Sequence, residues 1–334
     1  MIEHTYVINL DHRKDRWNNI QKDFKDIGLH LQRWNAIYGK NLSDDEISKL
    51  TTWKCNQFCT YGMIGCWLSH YTLWQYIVKN NLDNVLILED DATPNTKTYK
   101  DIDRILAKLP ENYDLVYLGY VDTCDYLPMI FQDSVSNKIY NMNKTLNGEY
   151  LIPCDPLCLH AYLLSNAGAR KLINYTELQK INDPIDTALS QLFKQKRNDF
   201  NVYKVKTPLI DQVHIVENSD LVKTQYPILT SILLKIKISD SFDLGYYLQC
   251  PILTNRKTNI EINGLLISFA VLAFFMGLFV SDKFLIYIVI GIIGLFFVES
   301  ISAKEKNYLS YIFNLIIIIL FMFIGKFIAK NNLK

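Results

Sequence analysis

Three consecutive acids follow an apolar run in the first third of the chain, and their spacing suits metal or phosphate chemistry. Residues 85–88 read VLIL, which is typical of a buried strand, and Glu89, Asp90 and Asp91 come directly after it. Carboxylates this close repel one another unless they share a cation, and oxygen ligands of this kind suit Mg²⁺ or Mn²⁺. The acids therefore predict a divalent cation, which would in turn hold phosphates. The alternative is that Asp91 caps the next turn and that water solvates the other two acids.

A second polar group follows the first β-prone run of the chain, residues 5–10, which read TYVINL. The arginine side chains of this second set could pair with a diphosphate, and its carboxylates could accept hydrogen bonds from a ribose. Taken by themselves, these side chains more often form the charged start of a helix. The residues concerned are Asn9, Asp11, Arg13, Asp15 and Arg16.

Strand and helix patterns alternate around these two groups. The predicted strands are residues 5–10, 84–88, 113–120, 157–165 and 200–205, and the predicted helices are 63–80, 98–109, 166–178 and 184–195. This alternation is typical of an α/β domain with a largely parallel sheet covered on both faces. In open sheets of this kind ligands bind beyond the carboxyl ends of the strands, which is where both polar groups are predicted to lie. Residues 121–156 are predicted to be a long loop or insertion.

The C-terminal part of the chain is strongly apolar. Residues 262–280, 284–298 and 308–325 contain no charged side chain. A bilayer core needs about 20 apolar residues in a helix, so the first and third runs qualify and the middle one is shorter. We therefore predict a membrane region at 261–330 with two to three transmembrane α-helices in contact with lipid, behind a catalytic domain at 1–218. Residues 219–260 would be a linker, either lying on the membrane surface or forming the last packed element of the soluble domain.

Composition excludes some classes of protein. With 334 residues, 49% of them hydrophobic, the chain can bury a large core. Its formal charge of +1 provides no field for binding nucleic acid. The seven cysteines are expected to be reduced structural thiols, because no CxxC pair suggests zinc. At the N-terminus, no apolar run precedes the first charged residues, so no secretory signal is expected. Arg256 and Lys257 precede the first of the C-terminal apolar runs, which predicts that the catalytic domain is in the cytosol, whereas the lysines of the C-terminal tail favour the opposite topology.

Seven stretches, in order over about two thirds of the chain, carry a resemblance to a known family. They are VINLDHRKDR (7–16), GMIGCWLSH (62–70), LILEDDA (86–92), LVYLG (115–119), HAYLLSNAGARKLI (160–173), PID (184–186) and PLIDQ (208–212). As a set they resemble glycosyltransferase family 25, which includes bacterial lipopolysaccharide galactosyltransferases and collagen galactosyltransferases. The resemblance implies a Rossmann-like domain of the glycosyltransferase A (GT-A) type, a nucleotide-diphosphate sugar as donor, a divalent metal (Mn²⁺ or Mg²⁺) and inversion at the anomeric carbon.

The resemblance also assigns roles to individual residues. Asp91 would be the direct metal ligand, with Glu89 beside it. His214 would complete the metal shell, the alternative being that its side chain is simply exposed. His70 would either bond the sugar or tie down its own helix, and the second role is favoured. The chain departs from the family pattern at Leu159 and Met63, which removes two polar contacts. The residues placed near the nucleotide sugar are Asn9, Arg13, Asp15, Arg16, Ser69, His70, Glu89, Asp90 and His160.

Inversion requires a base that takes the proton of the acceptor hydroxyl. Asp186, early in a predicted helix after Pro184, is the candidate, and Asp183 is the fallback; the alternative for Asp186 is helix capping.

The resulting hypothesis is a membrane-attached enzyme that moves a hexose, galactose or glucose, to a glycan, a lipid-linked acceptor or a hydroxylated protein side chain. The competing hypothesis is a catalytically inactive transferase-like domain that serves as a membrane scaffold or binding module.

Overall fold

The structure is a computed structural model, and it falls into two units. They are Met1–Asn56 with Tyr61–His214, and Gln57–Thr60 with Ile215–Lys334, and each is described by itself. The residues described are 2–96, 98–122, 148–177, 179–195, 199–212, 226–233, 237–239, 242–243, 248, 251–256, 258, 260–303 and 307–332. The predicted metal ligand His214 and most of the predicted loop at 121–156 lie outside the described residues.

The first unit is an α/β domain, as predicted. Its strands are β1 (His4–Asn9), β2 (Leu31–Asn35), β3 (Val85–Glu89), β4 (Ala92–Pro94), β5 (Leu115–Asp122), β6 (Tyr150–Leu151), β7 (Pro156–Leu164), β8 (Val202–Val205) and β9 (Ile210–Gln212). Its helices are α1 (Lys14–Asp23), α2 (Asp44–Leu50), α3 (Trp53–Phe58), α4 (Tyr61–Lys79), α5 (Thr98–Leu106), α6 (Asn166–Glu177) and α7 (Ile185–Gln195). All the strands and helices predicted in this part of the chain are present, with ends that agree to within about three residues.

The main sheet is mixed rather than largely parallel. Its seven strands follow the order β2-β1-β3-β7-β5-β8-β6. β1 pairs with β2 and β3 in parallel, whereas β7 runs antiparallel to both β3 and β5. As a result, the start of β7 lies at the same edge of the sheet as the ends of β3 and β5. An antiparallel pair needs no helical crossover, and alternation of elements along the sequence does not reveal the direction of a strand.

The core is built on the strand that precedes the acids. Residues 85–88 of β3 are completely buried, and α4 packs its apolar side chains into the same core. Gly65 in α4 is required for close approach, because a Cβ there would collide with the backbone carbonyl oxygen of Ile37. One turn later, Ser69 Oγ accepts a hydrogen bond from the backbone N–H of Ile37 at 2.8 Å and donates to the carbonyl of Gly65 at 2.6 Å. The glycine and serine therefore set the position of α4 relative to the acids.

A buried ion pair ties β5 to β8. Lys204 Nζ lies 2.9 Å from Asp122 Oδ2, and both side chains are almost completely buried. Asp122 also accepts hydrogen bonds from the backbone N–H groups of Cys154 and Asp155, at 3.0 and 2.9 Å. The buried carboxylate thus has an ion-pair partner and two backbone donors, as a buried charge requires. The network holds the end of β5 and the start of β7 together.

The second unit is mostly helical. Its described elements are α8 (Pro227–Leu233), β10 (Lys237–Ser239), β11 (Phe242–Asp243), β12 (Pro251–Asn255), β13 (Ile260–Asn263), α9 (Gly264–Phe279), α10 (Asp282–Ser302) and α11 (Tyr308–Asn332). The buried carboxylate of Glu299 accepts hydrogen bonds from the N–H groups of Ile228 and Leu229, at 2.9 and 2.8 Å, and so caps α8. Tyr226 is buried in the core of this unit, so residues 226–233 pack against the apolar helices.

The helix lengths differ from those expected for the apolar runs. α10 and α11 are long and apolar enough to cross a membrane, with mean hydropathies of 2.5 and 2.6. The first run forms α9, which has 16 residues and begins where the side chain of Asn263 caps it by accepting from Leu266 N. At 1.5 Å per residue this helix is about 24 Å long, shorter than the 30 Å hydrocarbon core. The first run therefore forms a helix shorter than the expected span, the middle run forms a longer one, and two helices of the two to three predicted are long enough to span.

The cysteines also differ from the prediction. Cys55, Cys59 and Cys154 are disulfide-bonded, whereas Cys66 and Cys158 are thiols. The expectation of reduced structural thiols is therefore wrong for three of the cysteines that the structure describes. The spacing of cysteines in a sequence shows neither their redox state nor which of them the fold brings together.

Candidate active site

The acids lie where two parallel strands end. Glu89 is the last residue of β3, and in the register with β1 it stands opposite Ile8. Asn9, the last residue of β1, is buried and donates from Nδ2 to Asp90 Oδ2 at 2.7 Å. The two polar groups that the sequence places after separate strands therefore meet at one edge of the sheet.

Asp90 is occupied by partners from the N-terminal group. Its Oδ1 accepts a hydrogen bond from Arg16 Nη1 at 2.7 Å, while its Oδ2 accepts the bond from Asn9. Burial raises the pKa of Asp90, and the neighbouring Arg16 offsets part of that rise. The Oδ1 of Asn9 accepts in turn from Arg33 Nε at 2.8 Å. Asp90 thus anchors α1 and β2 to the end of β3.

Asp91 is the least satisfied of the three acids. Its Oδ2 accepts from Gln212 Nε2 at 3.2 Å and lies 3.8 Å from Arg16 Nη1. Its Oδ1 is buried and has no hydrogen-bond partner in the part of the chain that the structure describes. Burial and the charges of Glu89 and Asp90 raise the pKa of Asp91 to about 7. A buried carboxylate oxygen without a partner, next to other acids, fits a divalent cation.

Glu89 faces α4. Its Oε1 lies 3.2 Å from His70 Nε2 and 3.9 Å from Cys66 Sγ. Burial by itself would raise the pKa of Glu89, but the hydrogen bond with His70 and the neighbouring His160 and Arg16 lower it overall. Burial and the carboxylates of Glu89, Asp186 and Asp91 raise the pKa of the Cys66 thiol well above its usual value. Possible ligand atoms of Cys66, His70 and Glu89 all lie within 4.8 Å of one another.

The two candidate bases, Asp186 and Asp183, have different environments in the structure. Asp186, at the start of α7, accepts hydrogen bonds from the N–H groups of Thr187 at 2.7 Å and Cys158 at 3.4 Å. Cys158 has a φ of 66°, an unusual conformation for a residue with a side chain, at a register irregularity between β5 and β7. Asp183, by contrast, is paired with Lys54 Nζ at 2.6 Å. Only Asp186 is close enough to Cys66 to be among the causes of its raised pKa.

The remaining predicted residues lie around this centre. Arg13 bonds Asp15 at 3.2 Å, which lowers the pKa of Asp15. Ser69 is buried and bonded to backbone groups, as described above. His160 is buried, and its Nε2 lies 3.1 Å from the carbonyl of Ile210. A Cβ at Gly119 would collide with His160, so the glycine of the LVYLG stretch makes room for that ring.

Two residues that contact the acids were not proposed as site residues from the sequence. Gln212 lies in one of the resembling stretches and bonds Asp91, because β4 and β9 pair antiparallel with Ala92 opposite Gln212. Cys66 lies one turn before His70 on the same face of α4. The signal for Cys66 was its i, i+4 spacing to His70. The pairing that brings Gln212 to Asp91 joins residues 121 positions apart.

Comparison with known proteins decides the family. The model of "Glycosyltransferase family 25 (LPS biosynthesis protein)" matches residues 2–189, more than half of the chain. The chain belongs to glycosyltransferase family 25. The resemblance seen in the sequence is thereby confirmed, and the acids, α4 and Asp186 of this family 25 protein all fall inside the matched region.

Similar proteins come from animals. A "Glycosyltransferase 25 family member" of Aedes aegypti is 27% identical over 208 residues, which cover 59% of the family 25 chain and 32% of the relative. "Procollagen galactosyltransferase 1-A" of Xenopus laevis is 25% identical over 202 residues, covering 57% and 31%. "Inactive glycosyltransferase 25 family member 3" of Homo sapiens is 26% identical over 208 residues, covering 59% and 33%. The chain thus spans about a third of the length of these relatives.

Proposed function

We propose that the protein is a metal-dependent, inverting glycosyltransferase that moves a hexose from a nucleotide-diphosphate sugar to a hydroxyl acceptor. The observation that carries the proposal is the buried, unpartnered Oδ1 of Asp91 among the described residues, beside the carboxylate of Glu89. Family membership supports a sugar transfer, and the position of the acids at the carboxyl end of β3, which pairs in parallel with β1, supports a GT-A type of site. Galactose is the first sugar to test, because one relative is a procollagen galactosyltransferase.

Each carboxylate has a distinct part in this proposal. Asp91 and Glu89 would hold the cation, whereas Asp90 is already bonded to Asn9 and Arg16. When bound, the cation supplies positive charge to the departing diphosphate. Arg16, which lies 3.8 Å from Asp91, adds a second positive charge at the same edge of the sheet. Arg13 and Asp15, which bond each other at 3.2 Å, face the nucleotide in this proposal.

The transfer itself breaks one bond and forms one. The acceptor oxygen attacks the anomeric carbon, and the bond from that carbon to the diphosphate oxygen breaks, with its electron pair leaving on the nucleotide diphosphate. The hydroxyl proton goes to Asp186, whose charge, like those of Glu89 and Asp91, raises the pKa of the Cys66 thiol. The acceptor would be a glycan, a lipid-linked sugar or a hydroxylated protein side chain.

Nucleotide release tests the proposal. The full chain in detergent is incubated with Mn²⁺, an acceptor panel that includes a hydroxylated peptide, and UDP- and GDP-linked hexoses. We expect release of nucleotide diphosphate that depends on both Mn²⁺ and acceptor, with UDP-galactose the best donor. The inactive human relative favours one other candidate, a transferase-like scaffold. Failure of every donor, together with equal Mn²⁺ binding by wild type and Asp91→Ala, would establish the scaffold.

We further propose that residues 1–218 are the catalytic domain and that α10 and α11, within 261–330, attach it to a membrane in an oxidising compartment. Disulfides such as those of Cys55, Cys59 and Cys154 persist in such compartments and are rare in the cytosol. With two spans, the short connection bearing Lys304 and Lys306 lies on the opposite side from the catalytic domain, which puts those lysines in the cytosol. Arg256, Lys257 and the lysines of the tail favour the opposite topology, so the proposal depends on the disulfides.

Cysteine labelling and protease protection test the compartment. In intact microsomes we expect protease to leave the catalytic domain uncut until detergent is added. Because a disulfide does not react with maleimide, Cys55 and Cys154 should be labelled only after reduction of the denatured chain, whereas Cys66 should be labelled without reduction. Cleavage of the domain in sealed vesicles, with all these cysteines labelled before reduction, would instead place it in the cytosol.

A further inference from the structure

A line of hydrogen bonds runs from the core to the acids. Trp74 Nε1 lies 2.9 Å from Tyr162 Oη, Tyr162 Oη lies 2.9 Å from His70 Nδ1, and His70 Nε2 lies 3.2 Å from Glu89 Oε1. Trp74, Tyr162 and His70 are completely buried. The rings of His70 and Tyr162 stack at 5.8 Å with an angle of 29° between their planes. These side chains come from α4, β7 and the end of β3, so the line joins three elements.

The chemistry of the groups assigns a direction to every bond in the line. An indole N–H only donates, so the Tyr162 oxygen accepts from Trp74. An ionised carboxylate only accepts, so His70 Nε2 carries the hydrogen that it donates to Glu89. The Nδ1 of the neutral ring is then an acceptor, and the hydroxyl hydrogen of Tyr162 is donated to it. Each hydrogen therefore has one position, and Glu89 and Tyr162 favour the same tautomer of His70.

We propose that Trp74, Tyr162 and His70 are positioning residues that hold the Glu89 carboxylate by Oε1 and leave Oε2 as the ligand of the divalent cation. This inference rests on the proposed function. Cys66 Sγ approaches the same oxygen, Oε1, at 3.9 Å. Among the described residues, both groups that bond Glu89 thus use Oε1. Partners that orient a ligating carboxylate typically contribute about 10–100-fold in metal affinity.

The competing arrangement would make His70 itself a ligand, together with Cys66 and Glu89. Ligation through Nε2 would move the ring hydrogen to Nδ1, and Tyr162 would then accept from both His70 and Trp74. The hydroxyl hydrogen of the buried Tyr162 would lose its acceptor, which is unfavourable because a buried donor without a partner is desolvated and uncompensated. The oriented line satisfies all of these groups, and so the geometry favours the positioning role.

Manganese binding tests the inference without any sugar substrate. Free Mn²⁺ is titrated by electron paramagnetic resonance against the detergent-solubilised full chain. We expect His70→Leu to weaken Mn²⁺ binding by about 10–100-fold and Tyr162→Phe by about tenfold or less, because Glu89 alone still favours the Nε2–H form. His70→Gln should recover most of the affinity, because its amide can donate from a position similar to that of Nε2.

Tyr117→Phe is the matched control. Tyr117 stands opposite Tyr162 in the register of β5 and β7 and is equally buried, but its hydroxyl has no hydrogen-bond partner among the described residues. It should bind Mn²⁺ like wild type. Thermal unfolding of each variant identifies any that fail to fold, and His70→Gln and Tyr162→Phe then provide the comparison.

The outcomes separate this inference from the proposed function. Wild-type affinity in a folded His70→Leu variant, with binding lost in Asp91→Asn, would overturn the positioning role and leave the metal site intact. Absence of Mn²⁺ binding in wild type would overturn both. A thiolate-to-cobalt absorption band on adding Co²⁺, lost in both Cys66→Ser and His70→Gln, would show that His70 is a ligand and would also overturn the inference.

Discussion

Asp91→Asn is expected to lower the turnover of the enzyme by at least about 100-fold and, in the absence of metal, to raise its thermal stability above pH 7. The loss of turnover follows if Asp91 holds the cation, because removing one electrostatic contact to a developing charge typically lowers the rate about 10²–10³-fold. The gain in stability follows from the surroundings of the same carboxylate, which is partly buried beside Glu89 and Asp90. One substitution should therefore move activity and stability in opposite directions.

The sign of the stability effect follows from the two pKa values of Asp91. The pKa of Asp91 is about 7 in the folded protein, whereas an ordinary aspartate has a pKa of 3.8, so between these values the folded state holds a proton that the unfolded state has lost. The free energy of unfolding consequently falls as the pH rises through this window, and it stays low above pH 7. Because one pKa unit corresponds to about 1.4 kcal/mol, asparagine should recover on the order of a few kcal/mol at pH 8.

Thermal unfolding at pH 5 and pH 8, with and without Mn²⁺, measures this prediction. At pH 8 without metal, Asp91→Asn should melt several degrees above wild type, and adding Mn²⁺ should raise the melting temperature of wild type only. Asp211→Asn is the control, because Asp211 is exposed on β9 next to Gln212. It should match wild type in both assays. A destabilised Asp91→Asn variant, or one with normal turnover, would contradict the proposed site.

The sequence predicted local features of the fold well. The VLIL run forms the buried strand β3, and the acids after it lie at a strand end, because the period and polarity of a short segment determine whether it can be buried. The edge strand β2, with sequence LQRWN, was missed because its residues are only partly buried and show no clean alternation. The direction of β7 was missed for a different reason, since antiparallel pairing with β3 and β5 depends on how the chain returns to the sheet.

The sequence predicted which residues belong to the candidate site better than it predicted the contacts between them. The sequence indicated that Asp90 and Arg16 belong to one site, but their 2.7 Å bond joins residues 74 positions apart. That bond distinguishes Asp90, whose oxygens are both occupied, from Asp91, whose Oδ1 has no partner in the described structure. Three adjacent acids look alike in a sequence. Their different environments come from β1, α1 and β9, and a local pattern carries no information about those partners.

Asp186→Asn is expected to lower kcat by about 10²–10⁴-fold with little change in KM, because a general base acts on the proton that moves in the transition state. The asparagine oxygen can still accept from the N–H of Thr187, which lies 2.7 Å from the carboxylate. The local hydrogen bond at the start of α7 is therefore kept, and only the basic group is lost. Nucleotide release at saturating donor and acceptor measures kcat, and varying the acceptor gives KM.

Asp183→Asn is the matched control, since Asp183 lies three residues earlier and has a different environment. Its ion pair with Lys54 involves a lysine side chain that is 59% exposed, so the pair contributes at most about 1 kcal/mol to stability. Asp183→Asn should consequently leave kcat within about twofold of wild type. A loss of kcat in Asp183→Asn with normal turnover in Asp186→Asn would exchange the roles of the two acids.

Comparison of Asp186→Asn with Asp186→Ala distinguishes a general base from a helix cap at this position. A residue that only stabilises the start of α7 would lower the melting temperature when replaced by alanine, with kcat unchanged, because caps contribute about 0.5–2 kcal/mol to folding and nothing to proton transfer. A base would lose kcat in both Asp186→Asn and Asp186→Ala. The left-handed conformation of Cys158, whose N–H points to Asp186 at 3.4 Å, supports the catalytic role, because unusual backbone geometry of this kind concentrates at functional sites.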